Sequence, residues 1–254
     1  MRFPKICGLI DRRILCNYRI DPEYVEKVLP APFRPQIKNG YAIGGICLIR
    51  LRQIRPHFLP PHFGVNSENA AHRFAVEWDT DQGTQHGVYI PRRDTSSRLN
   101  AFVGGRLFPG VHHHAHFDIA EEGNNYSIHM DSNETHVLVN GSVTPELPAS
   151  SIFGSVQNAS QFFKRDSLGY SDSRENGLYD GLELDIDEWA VQAMHIQEIE
   201  SSYFNDKDLF PSGSIEFDHA LLMLNLQHKW IGRHSIITEP KVIDASSFAL
   251  NSRK

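Results

Sequence analysis

From Arg12 to Arg19 apolar and polar positions alternate, with Ile14, Cys16 and Tyr18 on one side and Leu15, Asn17 and Arg19 on the other. That two-residue period is the mark of a β-strand with distinct faces. Arg73 to Trp78 repeats it, with Phe74, Val76 and Trp78 opposed to Arg73, Ala75 and Glu77. A longer apolar run spans Tyr41 to Leu51, and shorter ones over 86–90, 99–104, 112–119, 126–130, 136–139 and 189–199 predict further strands. Turn chemistry separates them at Lys38-Asn39-Gly40, Asp81-Gln82-Gly83, Glu122-Gly123-Asn124 and Asn140-Gly141. Two helices are expected. Asp21-Pro22 starts a short one that Leu29-Pro30 closes, and Ser151 to Lys164 carries Ile152, Val156, Ala159 and Phe163 on one helical stripe. Residues 216–230 fit either buried strands or a helix, and the prolines from Pro56 to Pro61 open an expected loop running to Asn69.

Many short strands with few helices predict a mainly β fold, closed or strongly curved. No repeat or linker divides the chain, so residues 1–254 are expected to form a single domain. Apolar residues at 40% and charged residues at 22% are ordinary globular usage. The formal charge of −6 argues against a nucleic-acid or anionic-membrane partner. No apolar stretch reaches the roughly 18 residues of a membrane span. Cys7, Cys16 and Cys47 form no C-x-x-C pair. With no signal peptide read at the N-terminus, they are expected to be reduced thiols in a cytoplasmic protein, Cys16 and Cys47 as small buried hydrophobes.

Three segments carry candidate chemistry. On a continuous strand through Val111 to His116, residues His112, His114 and His116 share a face about 6.5–7 Å apart, a spacing that suits a zinc site or an acid–base pair. An exposed polar strand face is the plain alternative. Arg92, Arg93 and Arg98, around Asp94, can clamp a carboxylate or phosphate through forked hydrogen bonds, or tie the loop to Asp94. Glu68 and His72, at the end of the expected loop, can form an acid–base pair if they share a pocket, and capping is the alternative. Asp218 and His219 are weaker candidates, because neighbours on a strand face opposite sides.

Several of these segments together resemble a known family. They are Asp11-Arg12-Arg13 through Arg19, Leu29-Pro30-Ala31-Pro32-Phe33, Gly45 to Arg50, Ser67-Glu68-Asn69, Tyr89 to Ser97, Gly104 to Gly110 and Phe217-Asp218-His219-Ala220. The resemblance, from about Ile10 to Trp230, is to the uncharacterised bacterial YqjF-like family of the acetoacetate decarboxylase-like superfamily. It implies a closed β-barrel or cone wrapped by a curved outer sheet, with a polar pocket. In acetoacetate decarboxylase-like enzymes a lysine forms a Schiff base, and its neighbouring lysine lowers its pKa. Here those two positions fall on His113 and His114, and no lysine occurs between Lys38 and Lys164. Schiff-base decarboxylation is therefore not expected.

Three readings follow. One is an enzyme on a small, anionic organic molecule, with Arg92, Arg93 or Arg106 as the anchor and His113, His114 or Glu68 moving protons. The second is a binding protein with the same arginines and no reacting pair. The third is a metal-dependent enzyme using His112, His114 and His116 with zinc; otherwise no cofactor is expected. Superfamily relatives assemble, so the resemblance leaves a homo-oligomer open.

Overall fold

The computed structural model describes residues 5–105, 109–186 and 188–238. In chain order it contains β1 (Ile6–Ile20), α1 (Pro22–Val28), β2 (Arg34–Pro35), β3 (Ile37–Lys38), β4 (Tyr41–Pro56), β5 (Val65–Thr80) and β6 (Gly83–Thr95). Then come α2 (Arg98–Val103), β7 (His113–His114), β8 (His116–Glu122), β9 (Asn125–Asp131), β10 (His136–Thr144) and α3 (Val156–Arg165). The last four are β11 (Leu168–Asp172), β12 (Leu178–Ile186), β13 (Gln192–Ser201) and β14 (Ile215–Ile237).

The sheet closes on itself. Its order runs β1-β4-β5-β6-β11-β12-β14, and β14 returns to pair with β1. All neighbours in the ring are antiparallel except β6 and β11, which are parallel. From β14 the sheet continues through β13, β10, β9 and β8 as an outer layer. The architecture is thus the mainly β, ring-closed fold that the alternation predicts. No described helix is long and apolar enough to cross a membrane.

Alternation along the ring strands sorts the core into two clusters. Ile14, Cys16 and Tyr18 on β1 pack with Ile46 and Leu48 on β4 and with Ile128 and Val139 of the outer layer. The other face carries Leu15, Cys47, Ile49 and Ala75, packed against Phe153 and Phe163 at and before α3. Ser155 starts α3, its hydroxyl accepting the Asn158 amide at 3.2 Å, and the apolar stripe of the helix then seals that second cluster.

Four local expectations are corrected. The loop from Pro56 to Asn69 is shorter: β5 begins at Val65, so Glu68 and Asn69 are strand residues paired with Arg50 and Ile49. Residues 99–104 lie largely in α2, because the Ser97 hydroxyl caps the Asn100 amide, and Leu99 and Phe102 are exposed. Asn140-Gly141 is not a turn. It sits inside β10 at a bulge against β13, where a side chain on Gly141 would meet Ile196 and the His195 carbonyl. The helix expected from Ser151 begins only at Val156. Residues 216–230 resolve as strand, within a 23-residue β14 that serves β1 on one edge and β13 then β12 on the other.

Candidate functional site

Each strand of the ring contributes to the wall of one cavity of about 230 Å³, so its lining faces are the inside of the barrel. Four arginines line it: Arg55, near the end of β4, donates to the Gln53 and Leu59 carbonyls, and Arg13 from β1, Arg73 from β5 and Arg93 from β6 form a separate group. Arg13 and Arg73 point inward through plain alternation with Leu15 and Ala71. Arg93 needs a bulge. Phe74 pairs with Tyr89 and His72 with Arg92, so Arg73 alone faces two residues, Ile90 and Pro91. That extra residue shifts the phase of β6, and both Ile90 and Arg93 line the cavity. Pro91, which cannot donate to a ladder, occupies the bulge.

The three guanidiniums gather around one thiol. Arg13 Nε donates to Cys47 Sγ at 3.3 Å, and Cys47 is the common electrostatic neighbour of Arg73 and Arg93. Arg73 Nη2 donates to Asn17 Oδ1 at 2.6 Å, its plane lies 4.9 Å from the Phe163 ring centroid, and its buried Nε has no hydrogen-bond partner. Arg93 Nε donates to Ser171 Oγ at 2.9 Å. None of the three forms an ion pair with a carboxylate among the described residues. The acids in the wall are engaged elsewhere: Asp94 with Arg92, and Asp166 with Gln36 and Arg165. Burial pulls Arg73 and Arg93 down to about 10, so both remain cationic at neutral pH. Buried charge without a counter-charge is costly, and an anion in the cavity relieves that cost.

Behind Arg73 runs a fully bonded polar chain. Asn17 Nδ2 donates to the Leu15 carbonyl and to His219 Nε2, and His219 Nδ1 donates to Asp218 Oδ2 at 2.6 Å. Asp218 also accepts the Ser151 hydroxyl and the Ile152 amide. Burial pushes the Asp218 carboxyl up, but the bonds from His219, Ile152 and Ser151 outweigh it and hold the group below its ordinary value. Burial keeps His219 neutral despite that partner. The expectation that Asp218 and His219 diverge is overturned by a bulge. Asn17 pairs with His219 and Tyr18 with Phe217, which leaves Asp218 as the extra residue.

The residues singled out in the sequence scatter around this cavity. Arg93 and His112 line it. His112 Nδ1 donates to the Gly110 carbonyl at 2.9 Å, so Nε2 is the unprotonated nitrogen of the neutral ring. Burial, and then Arg93, lower it to about 3. His113 is half-buried in β7 beside Arg92, and burial lowers it too. His114 is exposed, and His116 is exposed with Asp118 at 3.2 Å. The strand assumed to align His112, His114 and His116 breaks at Ala115, where β7 gives way to β8. Among the described residues no three His, Cys, Asp or Glu side chains converge as metal ligands. Arg92 faces away from the cavity and is held by Asp94 and Glu134. Glu68 is bonded to Arg12 at 2.7 Å and to Arg50, and Glu121 bonds the same two arginines. His72 meets Ser201 Oγ at 3.2 Å, not Glu68. Arg106 lies outside the described residues.

Sequence reasoning missed Arg13, Arg73, Asn17 and Cys47 as site residues. The signal available was a charged residue on the same strand face as small or apolar ones, as with Arg73 between Ala71 and Ala75.

Residues 10–220 match the family DUF2071, "Uncharacterized conserved protein (COG2071)". No curated protein matches the sequence. Solved structures share the fold at low identity. Acetoacetate decarboxylase from Legionella pneumophila subsp. pneumophila str. Philadelphia 1 is 10% identical, with TM-score 0.61 over 92% of this chain and 87% of that one. An acetoacetate decarboxylase-like enzyme from Sphingomonas wittichii RW1 is 11% identical, with TM-score 0.59 over 94% of each chain. The enduracididine biosynthesis enzyme MppR complexed with pyruvate is 9% identical, with TM-score 0.53 over 93% of this chain and 91% of that one. The chain is a member of the uncharacterised DUF2071 family, built on the acetoacetate decarboxylase-like fold.

Proposed function

We propose that this protein binds a small organic anion inside the barrel and acts on it by acid–base chemistry without a Schiff base. The observation that carries the reading is the set of three cavity arginines, Arg13, Arg73 and Arg93, with no carboxylate partner among the described residues. A carboxylate fits them chemically, because a guanidinium fork matches its two oxygens. No lysine is among the described residues of the cavity wall, which supports an amine-free mechanism. MppR, of the same fold, has been solved with pyruvate, so a keto acid is a sensible first class to try.

His112 is the proton-transfer group in this scheme. In the empty cavity a pKa of about 3 makes it a weak base. A bound carboxylate adds negative charge beside His112 and Arg93, which raises the basicity of the imidazole. Nε2 then takes a proton from carbon next to the ligand carbonyl, and the arginines stabilise the enolate oxygen that forms. His113, His114 and Glu68 stay outside this step. The weak basicity of His112 also favours a second reading, a binding protein that does no chemistry.

Isothermal titration with pyruvate, together with proton exchange of its methyl group in D2O followed by NMR, tests the scheme. Binding that falls at least tenfold in Arg93→Met, with exchange lost in His112→Phe, is the expected result. Binding without exchange selects the binding protein, and pyruvate affinity unaffected by Arg93→Met overturns the anion site.

A further inference from the structure

We infer that the ligand is an amphipathic acid: a carboxylate head joined to an apolar body about the size of a phenyl ring. The inference rests on the anion reading above and adds what lies beyond the head group. Strand register divides the cavity lengthwise. At one level Cys47 pairs with Leu15 and Ala71, and Ala71 pairs with Arg93, so the cations gather there. At the other, Ile6 pairs with Pro56 and with Trp230, and Trp230 pairs with Leu184. These four line the same cavity, with Leu51 and Ile54 between the two levels on β4.

Size decides what can fill that second end. An apolar cavity of about 150 Å³ stays dry and holds one benzene. Here the volume is about 230 Å³, room for a ring and a carboxylate together. A three-carbon keto acid at the arginines leaves the apolar end empty. The side chains there are those of Ile6, Ile54, Pro56, Leu184 and Trp230, beside a half-buried Arg55 that donates to the Gln53 and Leu59 carbonyls. Trp189 also lines the head region, its ring centroid 5.8 Å from the Arg13 guanidinium. A ligand with both parts satisfies the cations and the apolar wall at once.

Three probes test this by titration calorimetry: pyruvate, phenylpyruvate and the neutral ketone 4-phenyl-2-butanone. Phenylpyruvate is expected to bind at least about tenfold tighter than pyruvate, from burial of the ring. It should also bind at least about tenfold tighter than the ketone, from the carboxylate. Equal affinity for the two acids overturns the amphipathic inference and leaves the anion site standing. Equal affinity for phenylpyruvate and the ketone overturns the anion site instead, and no binding of either acid overturns both. A filling variant, Leu184→Phe, is the second measurement, since it adds volume rather than opening a void. The ratio of phenylpyruvate to pyruvate affinity should fall toward one in it; an unchanged ratio places the ring elsewhere.

Discussion

Arg12 and Arg13 are neighbours on β1, yet they live in opposite worlds. Arg12 is buried on the outer face between Glu68 and Glu121, with Arg50 sharing the same two acids. Arg13 turns into the barrel, where a thiol and the Met223 sulfur are its polar contacts. Arg92 and Arg93 repeat the contrast on β6, the first held by Asp94 and Glu134 and the second by a single serine. On β5 the neighbours also part, His72 to the Ser201 hydroxyl outside and Arg73 to Asn17 inside, though His72 carries no charge. The outer set is a closed account of charge that fastens the barrel to the outer sheet. The inner set has no carboxylate partner among the described residues, and the proposed anion would supply one.

The sharpest way to break the comparison is to open the outer network. Glu68→Ala leaves the buried Arg12 with one acid in place of two and should cost about 3 to 4 kcal/mol in urea unfolding, with ligand affinity little changed. A loss of affinity larger than the loss of stability would move Glu68 from the fastening network to the site.

Next in size is the chain behind Arg73. Asp218→Asn removes the charge that accepts from His219, Ser151 and the Ile152 amide, and should cost about 2 to 3 kcal/mol by thermal or urea unfolding. Because Asn17 relays that order to Arg73, anion affinity should fall as well, by less than in Arg73→Met. Unchanged affinity would make the chain purely structural.

His72 gives the contrast a pH readout. Burial, and then Arg92, lower it to about 3, against 6.5 in the unfolded chain. Between those values the unfolded state binds more protons, so stability is full above about pH 6.5 and drains as pH falls toward 3. From pH 6.5 to 5 the loss is about 2 kcal/mol for this one group. His228, lowered by burial to about 4, adds to the same slope. In His72→Gln the acid slope of urea stability should shrink by about that share; an identical slope would mean His72 is already solvated.

Much of the fold was legible because alternation is a local signal. The strands around Ile14, Phe74 and Ile128 follow it, and the turns at Asn39-Gly40 and Gly123 lie where their chemistry puts them. β11 and β12 were not legible, since Gly169 and Gly181 interrupt them and only Leu182 to Ile186 alternates. The site was harder for a different reason. Two of its features depend on bulges, at Ile90-Pro91 and at Asp218, and a bulge is a property of two paired strands. Counting along one strand cannot reveal it, so Arg92 and Arg93 looked equivalent and Asp218 and His219 looked opposed. The histidine run misled in the converse way. Its spacing was right for a shared face, but the strand breaks at Ala115.

The smallest expected effect is also the most telling, because its sign reverses. Removing a charge from a well-paired network destabilises a protein, as with Glu68. Arg13 has no acid partner among the described residues, so Arg13→Met discards a half-buried cation and keeps an apolar chain of similar reach against Cys47, Met223 and Trp189. The ligand-free protein should gain about 1 kcal/mol in urea unfolding. Anion affinity should drop at least about tenfold in the same variant, so a saturating ligand should stabilise the wild type more than the variant. Stability and binding then move in opposite directions, which packing damage cannot produce. If Arg13→Met instead loses stability and keeps its affinity, Arg13 belongs with Arg12 as a structural residue, and the anion site contracts to Arg73 and Arg93.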